Sequence, residues 1–470
     1  MRLLIRGGTL VTAGDTQEAD ILVEDGRISA IGQDLRVEGV EVLEVGGKLI
    51  MPGGVDPHTH FDLPMFGTIS SDDHYTGHKA AAFGGTTTVM DFVPFDGPTM
   101  EASVDAWKKK AEKAAIDYGF HMNLTRLDDD TRREIPRLKA LGITTLKVFT
   151  AYNSRLRLGD GEIFRTLRIA GDNAMLVLAH CENGDVIETL VAEALAQGKT
   201  SAEWHARTRP AWGSVESTLR LAAMAQQADA PVYVVHMNAA GEVDMLKYAR
   251  ERGVRVMGET CPQYLFFTSE HLRRPDGAKW ICSPPVREQT DNQRLWAGLG
   301  DGTLQTVGTD HCPFFYDGTR PIQYEGAPVK IAGKELGQHD FTKIPNGLPG
   351  VQDRLPVLWT YGVRAGKITA NQFVALNSTN PARIFGLYPR KGALLPGSDA
   401  DIVVWDPERR LTYGVAASHH RTDYNLYEGW ELVGYPEKVF LRGRLIVDGD
   451  RWLGSRGQGQ FLPRSEGEVL

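Results

Sequence analysis

The chain has 470 residues, with 52 Lys plus Arg against 60 Asp plus Glu and a formal net charge of −8 at pH 7. At 42% apolar and 24% charged residues, it has the mix of an ordinary folded protein, which excludes disorder as its main state. The acidic balance speaks against nucleic acid or anionic membrane as a partner, and no apolar run approaches the roughly 20 residues of a membrane helix.

At the start, MRLLIRGGTLV is broken by Arg6, Gly7 and Gly8 and makes a poor signal peptide. Leu3–Arg6 and Thr9–Thr12 read as short strands. Asp20–Glu24 and Arg27–Ile31 read as a hairpin, because Asp25-Gly26 supplies the positive φ angles of a tight turn. Near the other end, Ala400–Trp405 and Lys438–Val447 are again β-rich, and residues 439–449 echo residues 3–14. Neither end holds enough strands for a sheet of its own. Residues 1–52 and 390–470 are therefore expected to build one small β-sandwich domain, with residues 53–389 inserted between them.

The inserted part alternates short apolar runs with amphipathic stretches. The runs are Leu49–His60, Thr86–Val93, Phe120–Leu124, Thr145–Thr150, Met175–His180, Val232–Met237, Arg255–Thr260 and Leu304–Asp310. Helix-like segments such as Ser103–Ala115, Val186–Ala196, Ser214–Gln227 and Glu242–Arg252 lie between them. Eight such alternations predict an α/β fold, a (β/α)8 TIM barrel, whose active site lies at the C-terminal ends of the strands. The tail after Trp452 is polar and Gly-rich, and is expected to be extended, either disordered or laid on a neighbouring subunit. Cys181, Cys261, Cys282 and Cys312 are widely separated with no CxxC, which points to a reducing, cytoplasmic setting.

The sharpest chemical signal is Asp56-Pro57-His58-Thr59-His60. On a strand, residues i and i+2 share a face about 6.6 Å apart. Two imidazoles so placed can converge on one metal ion. His180 closes MLVLA, His236 closes VYVV, and Asp310 closes LQTVGT. Each alone reads as an interior hydrogen-bonded His or a helix N-cap, but four His on three strand ends are hard to explain as packing. Lys147 sits inside the apolar run TTLKVFT, where a bare ammonium is disfavoured. Beside two divalent ions it would add repulsion; a carbamate formed with CO2 would instead supply a bridging anion. His74, His78, His121, His205 and His271 read as surface or structural residues, and His311, Cys312 and Cys181 as packing.

The motifs GGVDPHTHFDLP, TTLKVFTAY, LVLAHCENGD, VYVVHMN, GETCPQYL, CSPPVR, VGTDHCPF and FTKIPNGLPG together resemble the D-hydantoinase/dihydropyrimidinase family, in the cyclic-amidase branch of the amidohydrolase superfamily. The resemblance runs from residue 1 to at least residue 448. It implies a binuclear centre of two divalent ions, usually Zn2+ with Mn2+, Co2+ or Ni2+ as alternatives, and a homotetramer. One ion is implied on His58, His60, Lys147 and Asp310, and the other on Lys147, His180 and His236, with N6-carboxylated Lys147 and a hydroxide as bridges. Tyr152 matches the oxyanion tyrosine, and Ser283 and Asn346 match positions whose backbone holds the ring. The implied reaction opens a cyclic imide to an N-carbamoyl amino acid, with Asp310 moving the proton.

Related readings are allantoinase, dihydroorotase and a non-catalytic scaffold. A dihydroorotase needs a cation for its substrate carboxylate, and Phe61, Asp62, Leu63 and Pro64 offer no Arg after HxH. Met65, Phe66, Phe92 and Phe149 are candidates for an apolar wall around a ring substituent. Phe315–Lys334 is longer than the family pattern and is expected near the barrel mouth.

Overall fold

The computed structural model describes residues 2–153 and 155–470. Eight parallel strands run in sequence order around a barrel: β1 (Gly54–Thr59), β2 (Thr86–Val93), β3 (Asp117–Asn123), β4 (Thr145–Phe149), β5 (Leu176–His180), β6 (Val232–Met237), β7 (Val256–Thr260) and β8 (Thr306–Val307). Barrel strands are covered by side chains inside and by helices outside, so they read as unbroken apolar runs rather than as alternation. All eight residues of β2 are buried, for example.

Polar groups close the seam between the first and last strands. The Thr309 hydroxyl lies 2.7 Å from Asp56 Oδ2, and His60 N donates to His311 O at 2.8 Å. The buried Arg354 guanidinium donates to Val55 O on one side and to Val307 O on the other, at 3.0 and 2.9 Å. β8 is short because this closure replaces most of its ladder. Of the expected run Leu304–Asp310, only Thr306–Val307 is strand, and Gln305 N and Gly308 N still bond to the carbonyls of Gly258 and Thr260.

Both termini contribute to a second, nine-stranded sheet. Asp25 and Gly26 both take positive φ, 50° and 82°, and join Thr16–Glu24 to Arg27–Gly32 as the hairpin requires. Leu49–Pro52 pairs antiparallel with Ile402–Trp405 and so welds the two chain ends. Leu3, Ile5, Ile21, Ile50, Ile402, Val404 and Phe440 share one apolar core behind it. The single run expected over Leu49–His60 is two strands in two sheets. They part at Gly53, where an added Cβ would meet Thr87 Oγ1 at 2.1 Å.

The tail corrects the expectation of disorder or a neighbouring subunit, because it lies on its own barrel. Leu462 N donates to Tyr118 O at 2.7 Å, Arg464 N to Gly142 O at 3.1 Å and the Arg464 guanidinium to Thr145 Oγ1 at 2.7 Å. Leu462 is fully buried. These contacts fall where β3 and β4 begin, so the tail forms the barrel floor.

Candidate metal centre

The strand ends carry the predicted side chains to one place. His58, His60, Lys147, Tyr152, His180, His236, Ser283, Asp310 and Asn346 all line a single cavity of ≈ 180 Å³. A larger cavity of ≈ 650 Å³ lies elsewhere and touches none of them. Three of the nine are turned into it by left-handed backbone: His236 at φ 40°, Asp310 at 54° and Tyr152 at 66°. Such conformations cost a non-glycine residue on the order of 1–3 kcal/mol and persist where the surroundings impose them.

Two donor clusters face the cavity. His58 Nε2 and His60 Nε2 lie 3.1 and 3.0 Å from the same Asp310 Oδ1. The three donor atoms fall within 4.8 Å of one another. Across from them, His180 Nδ1 and His236 Nε2 are 2.9 Å apart. The His58 and His236 rings stack with centroids 5.4 Å apart, which joins the clusters. Lys147 is 2% exposed, with its amine over Phe92 at 4.8 Å.

The electrostatics suit cation binding. Burial pushes the His60, His180 and His236 rings down, which keeps nitrogen lone pairs available. Burial also opposes charge on His58, but Glu259 and Asp310 hold its ring up at about 9. Burial opposes ionisation of Asp310 too, yet His58 and His60 hold its carboxyl well below the usual range. Burial drives the Lys147 amine down to about 8 against the pull of Asp310 and Glu259, and the Tyr152 phenol up. His60 Nδ1 and His236 Nδ1 are buried without a hydrogen-bond partner. Converging imidazole nitrogens, one shared carboxylate oxygen and a buried amine fit a pair of divalent ions.

Sequence reasoning missed the carboxylates behind the His. Glu259, at the end of β7, accepts from His58 Nδ1 at 2.7 Å and from His236 N at 3.1 Å. Glu182 meets His180 Nε2 at 2.8 Å and Arg209 at 2.7 Å. Opposed by burial but favoured by Arg209 and His180, its carboxyl falls to about 2. Both follow apolar strands, as His180 and His236 do, and that position was the available signal. His74, His78, His121 and His205 are buried structural residues, not surface ones. His311 accepts from the backbone N–H of Gly350 and Val351, which is packing work. Met65, Phe66, Phe92 and Phe149 line the cavity, and no residue of 315–334 does. That segment carries a small hairpin, Ile322–Tyr324 with Ala327–Val329, whose Tyr324 hydroxyl reaches His419 O at 3.3 Å.

The amidohydrolase family model matches residues 49–446. The D-hydantoinase of Geobacillus stearothermophilus is 42% identical over 471 aligned positions, covering 99% of this chain and 97% of that protein. The D-hydantoinase of Streptomyces coelicolor is 41% identical, covering 100% and 99%. Among solved structures, the dihydropyrimidinase from Brevibacillus agri NCHU1002 superposes with a TM-score of 0.95 at 44% identity, over 100% of both chains.

Proposed function

The chain belongs to the amidohydrolase family and is a cyclic-amide hydrolase of the hydantoinase and dihydropyrimidinase kind, and from that premise we propose how its residues divide the work. His58, His60 and Asp310 would hold one divalent ion and His180 and His236 the other, and Lys147, carboxylated on Nζ by CO2, would supply a further anionic ligand. Zinc is the ion we assign, since imidazole and carboxylate donors with a hydroxide suit it. Bound there, such a pair supplies a water acidified from a pKa of 15.7 to about 7 and polarises the ring carbonyl.

The remaining steps belong to side chains of this protein. Asp310 takes the proton of the attacking water and returns it to the departing ring nitrogen; His58 and His60 keep its carboxyl ionised. The Tyr152 hydroxyl, kept protonated by burial, donates to the oxygen on which charge grows. Ser283 and Asn346, joined by an Asn346 Nδ2 to Ser283 Oγ bond of 2.9 Å, present backbone groups to the ring amide. Met65, Phe66, Phe92 and Phe149 form a dry wall for an apolar substituent. The product is an N-carbamoyl amino acid.

The observation that carries this reading is the convergence of the complete ligand set on one cavity, which also speaks against a scaffold role. Metal analysis combined with turnover of dihydrouracil, hydantoin, allantoin and dihydroorotate tests it. The expected result is about two ions per chain and ring opening of dihydrouracil or a 5-substituted hydantoin. Metal-replete protein that opens neither would refute it. We also assign a homotetramer and a cytoplasmic setting. Exposed Trp212, Val186, Leu195 and Leu219 on outer helices support the first, and four unpaired buried cysteines support the second.

A further inference from the structure

The segment Ile281–Pro284 carries Ser283 to the cavity, and buried side chains hold it from behind. The Lys334 amine donates to Ile281 O at 3.0 Å, His205 Nε2 to Cys282 O at 2.8 Å and the Tyr264 hydroxyl to Pro284 O at 2.7 Å. Among the described residues, the Ser283 carbonyl alone in this segment has no such donor and stays free for a ligand. Lys334 reaches further. Its amine also donates to Pro345 O at 3.1 Å, the carbonyl next to Asn346. Gly347 N completes the tie by donating to Ile281 O at 3.1 Å.

One amine therefore spans the two segments that deliver Ser283 and Asn346. It does so at a cost. Lys334 is 1% exposed, and burial drives the amine down to about 7. Lys391, a deeply buried lysine at the barrel floor, is compensated by Asp117, Asp399 and Asp401. Lys334 has carbonyls in their place, an arrangement that gives geometry rather than charge balance.

We propose that Lys334 is a positioning residue of the ring-opening reaction: it sets the distance between Ser283 and Asn346 so that both engage the same cyclic amide. This rests on the reading of the cavity as a cyclic-amide site. A ring amide offers an N–H beside a C=O, so its acceptor and donor on the protein must keep a fixed separation. Ser283 and Asn346 hold the ring rather than move its proton, so a changed separation weakens binding and falls on KM.

The test compares the parent holoenzyme with Lys334→Met and Lys334→Gln, measuring kcat and KM for dihydrouracil and hydantoin together with metal content. In Lys334→Met, KM is expected to rise about tenfold or more while metal content holds and kcat changes by less than about threefold. Lys334→Gln keeps N–H donors and is expected to recover part of that loss. A KM within about twofold of the parent in both variants, or a loss confined to kcat and metal content, overturns the proposal. If Lys334→Met does not fold, Lys334→Gln decides alone, and a KM equal to the parent's overturns it. A parent that opens neither ring overturns the cyclic-amide reading, and this assignment with it.

Discussion

Glu259 lies outside the cavity lining, yet it should control how tightly the centre as a whole holds its two ions. Its carboxylate accepts from His58 Nδ1 at 2.7 Å, from His236 N at 3.1 Å and from the Tyr233 hydroxyl at 2.9 Å, at a position with no solvent exposure. Glu259→Gln preserves shape and removes charge. A hydrogen bond to a charged acceptor contributes about 1.5–3 kcal/mol and a neutral one about 0.5–1.5, so each of the two bonds that orient a ligand residue loses roughly 1 kcal/mol. The sum, about 2 kcal/mol, is about 30-fold in affinity. That falls within the roughly 10–100-fold range for partners that orient metal-bound histidines. Titration of metal-loaded protein with a competing chromophoric chelator reads this directly. An ion held within about twofold of the parent's affinity would refute the claim that Glu259 fixes the His58 and His236 geometry.

Asp310→Asn is expected to lower turnover by about 10²–10⁴-fold at full metal loading, checked by kinetics beside elemental analysis. Near-parent activity would remove Asp310 from proton transfer. Lys147→Arg is expected to abolish the bridged pair, since guanidinium forms no carbamate; two tightly held ions in that variant would exclude the bridge. Lys334 adds a pH signature to stability. Its amine titrates near 7 when folded against an ordinary 10.5, so between those values the unfolded chain binds the extra proton and stability rises with pH. The contribution is at most about 1.4 kcal/mol per pH unit, and denaturant unfolding of Lys334→Met at pH 7 and pH 9 should lack it. Leu462→Ala is expected to cost about 2–5 kcal/mol for a fully buried side chain, visible as a lower melting temperature. An unchanged melt would mean the floor contacts do not stabilise the barrel.

Which features were legible in the sequence follows a physical pattern. His58, His60, His180, His236 and Asp310 announced themselves because each ends an apolar run, and a barrel gathers strand ends. Glu259 ends one too, but its partner His58 lies 201 positions away, and no spacing encodes that distance. Lys334 was invisible because its partners are backbone carbonyls, which every residue has. The tail misled because composition averages over positions. Gly and polar residues dominate it, while the buried Leu462 and Arg464, the Phe461 ring and the backbone of Gly459 and Gln460 anchor it. The break at Gly53 was hidden for a similar reason. Leu49–Pro52 and Gly54–Thr59 follow each other as almost wholly buried strands, and only the crowding by Thr87 marks where one sheet hands over to another.

The weld between Leu49–Pro52 and Ile402–Trp405 has a consequence for biosynthesis. As the polypeptide leaves the ribosome, its first strands wait with an open edge until residue 405 has emerged, and β3 and β4 wait longer still for Leu462 and Arg464. Completion of both sheets thus waits for these late segments to emerge, and nascent fragments lacking them should be the natural clients of a holdase chaperone.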